Sequence, residues 1–267
     1  MDIVLFGYPT SPFVAKVSVV LAYLRLDHSF VAVSPIDPHE IGFTRQRQVP
    51  VLSIGGNWRT GSSDIGRWLA RVAGREDLLG NGDADVSAIN EVDHWVDAAL
   101  IPLLFDQISR PALSFSRMQD CWRLARIVHQ ASPLPVWARA AWPFIVPRAP
   151  FVSSMLAQSR NSQSLSRHEQ RVAEEFEDRL GYGPFLTERD AISIADLFAF
   201  AAMAAPFLMG ISRPWLFDGK PKIRRWMQRL ASVLPSNPLP CHDKFVARRM
   251  DEIHLLEIPD QSTGMWK

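Results

Sequence analysis

Residues 3–17 read Ile3-Val4-Leu5-Phe6-Gly7-Tyr8-Pro9-Thr10-Ser11-Pro12-Phe13-Val14-Ala15-Lys16-Val17, and the fold follows from the change of period inside them. Ile3 to Phe6 is a short apolar run of strand composition, and Gly7-Tyr8-Pro9-Thr10 stops it. From Ser11 onward Val14, Val17, Leu21 and Leu24 recur at helical spacing with Lys16 and Arg25 between them, the pattern of an amphipathic helix. A second strand is expected over residues 30–33. Strand, helix and strand together have the length of a crossover connection, so the two strands should pair in parallel.

Outward from this unit, Ser34-Pro35-Ile36-Asp37-Pro38 breaks the pattern, and residues 39–48 are polar with room for one short helix. Residues 49–54 form a third strand. Gly55-Gly56-Asn57 is a turn signal after which Trp58-Arg59-Thr60 can return as an antiparallel fourth strand. Ile65, Trp68, Leu69 and Val72 then share one helical face that packs back on the sheet. The result is a small α/β layer on a mixed sheet. Beyond Gly74 helical spacing takes over, in residues 88–105, 118–130, 166–180, 194–208 and 222–234, of which 194–208 is apolar nearly all round and should be a buried central helix. The chain is therefore read as an α/β domain over 1–78, an all-α domain over 85–235 and an extension over 236–267.

Composition narrows the function. The 267 residues are 47% hydrophobic and carry 29 Lys+Arg against 28 Asp+Glu, a formal charge of +1, so disorder and a nucleic-acid partner are both disfavoured. Cys121 and Cys241 stand far apart with no CxxC and no HExxH, which argues against a disulfide scaffold and a metal site. No run reaches ~18 apolar residues and the N-terminus lacks a basic leader, so no membrane partner and a cytoplasmic, reducing compartment are expected.

Three segments together resemble the cytosolic glutathione transferase superfamily. Ser11-Pro12-Phe13-Val14-Ala15-Lys16-Val17 is similar to the motif that follows the first strand in its serine and cysteine classes. Val49-Pro50-Val51-Leu52 followed by Gly61-Ser62-Ser63-Asp64-Ile65 resembles the cis-proline strand and the serine that holds the γ-glutamyl group. Ser193-Ile194-Ala195-Asp196-Leu197 resembles the capping box of the central helix. Their order and spacing match over residues 1–235. The likeness implies a thioredoxin-like N-terminal domain, an all-α C-terminal domain, a substrate between them and a homodimer. Within the superfamily it points to a serine-type, fungal or bacterial subgroup of transferase-like proteins.

The resemblance also implies roles. Ser11 would stabilise the thiolate of glutathione as co-substrate, with Tyr8 as the rival hydroxyl. Glutathione would be held by Phe13, Gln48, Val49, Pro50, Ser62 and Ser63. Pro50 should be cis, turning the Val49 N–H and C=O outward to pair with a peptide backbone as an added strand does. His39, Arg45, Arg47 and Gln48 are candidates for the glycyl carboxylate, Gln48 matching best. One departure stands out: Gly61 replaces the acid that usually precedes the serine, removing a partner for the substrate ammonium, and Asp64 substitutes only if the backbone differs. Each residue also has a plain structural reading. Ser11 with Pro12 makes an N-cap, Ser62 and Ser63 begin a helix, Tyr8 is a turn aromatic, Pro50 an edge-strand proline, and the charges near residue 45 are solvated.

Ser193 and Asp196 are read as a folding device, with loss of Asp196 costing ~1 kcal/mol or more. Arg67, Arg71 and Arg75 share a helical face that is either interface or solvent. Residues 142–151 fit no helix, because three prolines interrupt them; this apolar connection either covers the pocket, with Phe144 and Phe151 as a lid, or crosses the core. The leading functional reading is attack of a glutathione thiolate on an apolar electrophilic small molecule, with transferase, lyase and isomerase outcomes unseparated. A binding or scaffolding protein that has lost glutathione use is the alternative, and a biosynthetic enzyme using the cleft without glutathione is a third.

Overall fold

The computed structural model describes residues 1–109, 115–159, 164–211 and 220–253. The N-terminal part runs β1 (Ile3–Gly7), α1 (Pro12–Tyr23), β2 (Ser29–Ala32), β3 (Val51–Ile54), β4 (Asn57–Thr60) and α2 (Ser62–Val72). The sheet order is β2-β1-β3-β4. β1 pairs in parallel with β2, Leu5 opposite Phe30, and antiparallel with β3, Leu5 opposite Leu52. β4 returns antiparallel on β3. This is the mixed sheet of a thioredoxin-like domain. β2 begins one residue earlier than its apolar run suggests, and Val33 leaves the ladder although its N–H still reaches the Gly7 C=O at 3.0 Å.

The remainder is helical. It comprises α3 (Asp83–Trp95), α4 (Ile101–Ser109), α5 (Phe115–Ala131), α6 (Val136–Ala140), α7 (Trp142–Ile145), α8 (Pro150–Ser159), α9 (Leu165–Leu180), α10 (Ile194–Leu208) and α11 (Pro221–Ala231). α3 and α4 are joined by a wide π-type turn over Val96–Leu100. Pro102, the second residue of α4, has no N–H to continue the ordinary ladder.

α10 is the hub. Its apolar sides are buried all round, and α1 lies along it with Val14, Val17, Val20 and Leu21 fully enclosed. α2 approaches equally closely: a Cβ on Gly66 would fall 2.5 Å from the Phe198 ring, so only glycine fits there. The hub's start is fixed by Asp196. Its Oδ2 accepts from the Ser193 N–H at 2.9 Å and the Ser193 hydroxyl at 2.6 Å, and its Oδ1 from the Leu186 N–H and the Trp226 indole N–H, both at 2.8 Å. The capping box is therefore also a cross-link between α10, α11 and the loop before α10.

One reading of the sequence needs correction. Residues 142–148 and 150–151 are helical, with only Ala149 non-helical between them, not an irregular connection. Pro143 and Pro147 each occupy the first turn of a short helical segment and Pro150 begins α8, where a missing N–H costs nothing because no acceptor is available to it. Within the extension, residues 236–253 pack back on the molecule. Ser18 Oγ donates to the Pro238 C=O at 2.7 Å, the Ala247 and Arg248 N–H groups both reach the Leu208 C=O, and Leu239, Met250 and Ile253 are buried. Residues 254–267 lie outside the described residues, as does the Phe151 side chain. Among the described residues no helix is long and apolar enough to cross a membrane.

Candidate functional site

A cavity of about 860 Å³ opens between the C-terminal end of β1, the cis-proline loop and the helices beyond. Its N-terminal wall carries Tyr8, Ser11, Phe13, Gln48, Val49, Pro50, Ser62, Ser63 and Asp64. Its other wall is apolar, with Leu104, Leu124, Val128, Trp142, Ile145, Val152 and Met209 among its residues. One half can address a polar ligand through backbone and hydroxyl groups, and the other an apolar one.

Ser11 is the N-cap of α1, and its Oγ accepts the Val14 N–H at 3.4 Å. The hydroxyl hydrogen has no acceptor among the described residues and is available to a ligand. Tyr8 lies on the same turn, its C=O accepting the Ser11 N–H at 3.0 Å. Burial, then the Glu40 carboxylate, holds the Tyr8 phenol above its ordinary range, so it stays a neutral donor.

The Val49–Pro50 peptide is cis, and the Val49 N–H and C=O have no hydrogen-bond partner among the described residues. Arg47 and Gln48 line the cavity, whereas His39 and Arg45 do not. His39 is exposed beside Asp37 and Glu40, and Arg45 closes the short 3-10 helix in a left-handed conformation. At the start of α2 the N-cap is Gly61, and no side chain caps the helix. The first N–H groups of α2 thus face the cavity without a side-chain acceptor, an arrangement suited to a carboxylate. Ser62 is buried against the cavity. Ser63 is otherwise engaged: its hydroxyl donates to Asp93 Oδ1 at 2.9 Å and accepts from Lys16 Nζ at 3.1 Å.

Gly61 has φ 81°, a backbone that side chains adopt only with strain, so an acid at this position would be strained. Asp64 Oδ2 lies 3.8 Å from where a Gly61 Cβ would sit, and both Asp64 and Asp97 line the cavity.

Behind the site is a charge cluster that the sequence reading missed. Lys16 is fully buried; its ammonium lies 2.9 Å from Asp93 Oδ1 and 2.7 Å from Asp97 Oδ1, and 4.3 Å from the centre of the Phe198 ring. Arg67 Nη2 completes the cluster at 2.7 Å from Asp93 Oδ2, while Arg75 pairs with Asp77. Burial raises the Asp93 carboxyl, but the Lys16 and Arg67 cations more than offset it and hold the group below the usual range. Asp97 is left above it, because burial, with the neighbouring Asp93 charge adding to it, outweighs Lys16 and His94. A lysine inside a run of valines, with aspartates spaced i and i+4 on a later helix, was the available signal.

Residues 5–76 match the family model "Glutathione S-transferase, N-terminal domain". Over 65 residues the chain is 34% identical to prostaglandin E synthase 2 of Danio rerio, a stretch of 24% of this chain and 17% of that relative's length. Glutathione transferase F2 from Populus trichocarpa superposes with a TM-score of 0.57 at 16% identity, covering 86% of this chain and 93% of that one. A human glutathione-S-transferase T1-1 variant in its apo form gives 0.56 at 18% identity, covering 96% and 89%.

Proposed function

We propose that this chain, whose residues 5–76 are a glutathione S-transferase N-terminal domain and whose fold is that of the cytosolic glutathione transferases, activates the thiol of glutathione at Ser11 for attack on an apolar electrophile. The observation that carries the reading is the shared cavity: a free serine hydroxyl at a helix N-terminus, an unpaired Val49 backbone and an uncapped α2 line one side, and a broad apolar wall faces them.

Each group has a part in this reading. The Val49 N–H and C=O pair with the tripeptide backbone, and Phe13 packs against it beside Pro50. The α2 N–H groups with Ser62 receive the γ-glutamyl carboxylate, and Gln48 with Arg47 addresses the glycyl carboxylate. Ser63 supports the wall through Lys16 and Asp93. Asp64, with Asp97 behind it, takes the ammonium in place of an acid at Gly61. Ser11 donates to the sulfur. Lowering a thiol pKa by two units from ~8.5 needs ~2.7 kcal/mol, and one hydrogen bond to an anion gives ~1.5–3 with ~0.3–1 from the helix dipole, so no separate base is required. A cytoplasmic homodimer, divided at 1–78 and 85–235, is part of the same proposal.

The test is calorimetry with glutathione, then thiol conjugation to a generic electrophile by wild type, Ser11→Ala and Tyr8→Phe. Glutathione should bind, and Ser11→Ala should lose about ten- to a hundredfold in rate. Equal rates for wild type and Ser11→Ala would remove Ser11, and a loss confined to Tyr8→Phe would move the role there. Absence of binding at millimolar glutathione would favour the scaffolding alternative, for which Gly61 is the supporting observation.

A further inference from the structure

We propose that the corner formed by α6 and α7 docks on an anionic lipid bilayer, lying on its surface rather than crossing it, with the apolar wall of the cavity opening on the same side. Val136 is 79% exposed, Trp137 67%, Phe144 46% and Ile145 36%. Together with Trp122 they make five of the thirteen large apolar side chains exposed among the described residues, all within residues 122–145, so the exposure is concentrated rather than scattered. Trp122 ties this corner to α5 through an indole hydrogen bond to the Ala140 C=O at 3.2 Å.

Charge identifies the occupant. Residues 121–168 contain six arginines and no Asp, Glu or Lys. The chain sums to +1, so everything outside this stretch sums to −5. Arg148 lies among the apolar side chains, its Nη1 donating to the Phe144 C=O at 2.8 Å, and Arg139 stands exposed on α6. Protruding Trp, Phe, Ile and Val beside Arg139 and Arg148, on a stretch of chain that carries no acids between Asp120 and Glu169, suit the boundary between acyl chains and anionic headgroups. A second copy fits less well, because a two-fold contact would bring the same arginines together with no carboxylates between them. Trp137 and Ile145 are at once exposed and part of the cavity lining, so the docking corner borders the cavity. This departs from the expectation of no membrane partner, which rested on the absence of a spanning segment. Surface docking needs no such segment. It is also independent of whether glutathione is used.

The experiment is co-sedimentation of the full chain, without glutathione, with vesicles of phosphatidylcholine alone and of phosphatidylcholine with phosphatidylserine. Wild type should partition to the phosphatidylserine vesicles at low salt and be released at high salt. Trp137→Asp with Phe144→Asp should fall to background. Arg139→Gln with Arg148→Gln, which leaves the apolar corner intact, should lose roughly twenty-five-fold at about fivefold per cation. Circular dichroism checks that both variants are folded. Quenching by brominated acyl chains should drop in Trp137→Phe while binding persists. No preference of wild type for phosphatidylserine vesicles, or wild-type binding by the double Asp variant, would overturn the proposal. So would self-association that Trp137→Asp abolishes in a protein that ignores vesicles, which would assign the corner to a second copy.

Discussion

Lys16 Nζ and Asp97 Oδ1 lie 2.7 Å apart, joining the first helix of the sheet domain to the wide turn that links α3 and α4. Because Asp93 stands four residues earlier on the same helical face, both carboxylates meet one buried ammonium. A cation enclosed by valines is tolerated only with such partners, so the cluster fixes how the two parts of the chain sit against each other around the cavity.

Removing the inner partner should be costly. Asp93→Asn leaves Lys16 and Arg67 with one carboxylate between them, and about 3–5 kcal/mol of stability should be lost at neutral pH in urea unfolding. The acid response follows from sign. Asp93 is held low in the folded chain, so its contribution is complete above the ordinary aspartate range near ~3.9 and drains as pH falls below it. Asp97 is held high, so the folded form takes up that proton first and the step itself favours folding as pH falls. Asp93→Asn should therefore show a shallower loss below about pH 4 than wild type.

Asp64→Asn should weaken glutathione binding roughly three- to tenfold, a modest figure because the side chain is exposed. Calorimetry with a glutathione analogue lacking the amino group separates charge recognition from shape: the variant and wild type should bind that analogue alike. A difference that persisted with the analogue would remove the ammonium from Asp64.

Asp196→Ala should lose on the order of 3–5 kcal/mol, well above an isolated cap, since the Leu186 N–H and the Trp226 indole N–H are left buried without acceptors. Thermal unfolding of Asp196→Ala beside Trp226→Phe should show the second as clearly milder, because it removes a donor and strands none.

Native thiol labelling should be slow. Burial pushes both Cys121 and Cys241 up to about 11, with Asp120 and Asp243 adding to it. Their thiolate fraction near neutral pH is then hundreds of times below that of a free cysteine at ~8.5. Reaction with a disulfide reagent should accelerate by a similar factor on unfolding in urea, while activity survives Cys121→Ala and Cys241→Ala.

The sheet domain was legible because its signals are local: the period change at Ser11, the glycine turn at Gly55-Gly56 and the apolar face of α2 each act within a few residues. Prolines 143, 147 and 150 misled for the same reason. A proline reads as a break unless one knows that it begins a turn. At the site, the hydroxyls and the cis-proline loop could be placed from sequence, but the role of Ser63 could not. It depends on Lys16, Asp93 and Asp97, which meet only after α3 docks on α1. Gly61 was visible as a departure; its positive φ was not.

The hydrogen bond from Ser18 to Pro238 spans 220 residues of chain. At a synthesis rate of roughly 5–20 residues per second, the first helix waits on the order of 10–45 s for that partner while the ribosome works through the helical part. Lys16, two positions away, waits a shorter time for Asp93, 77 residues on. The nascent N-terminal domain therefore emerges with the Lys16 cation unmatched and the Ser18 hydroxyl open, and the packing of α1 is completed only after residue 238 has been made.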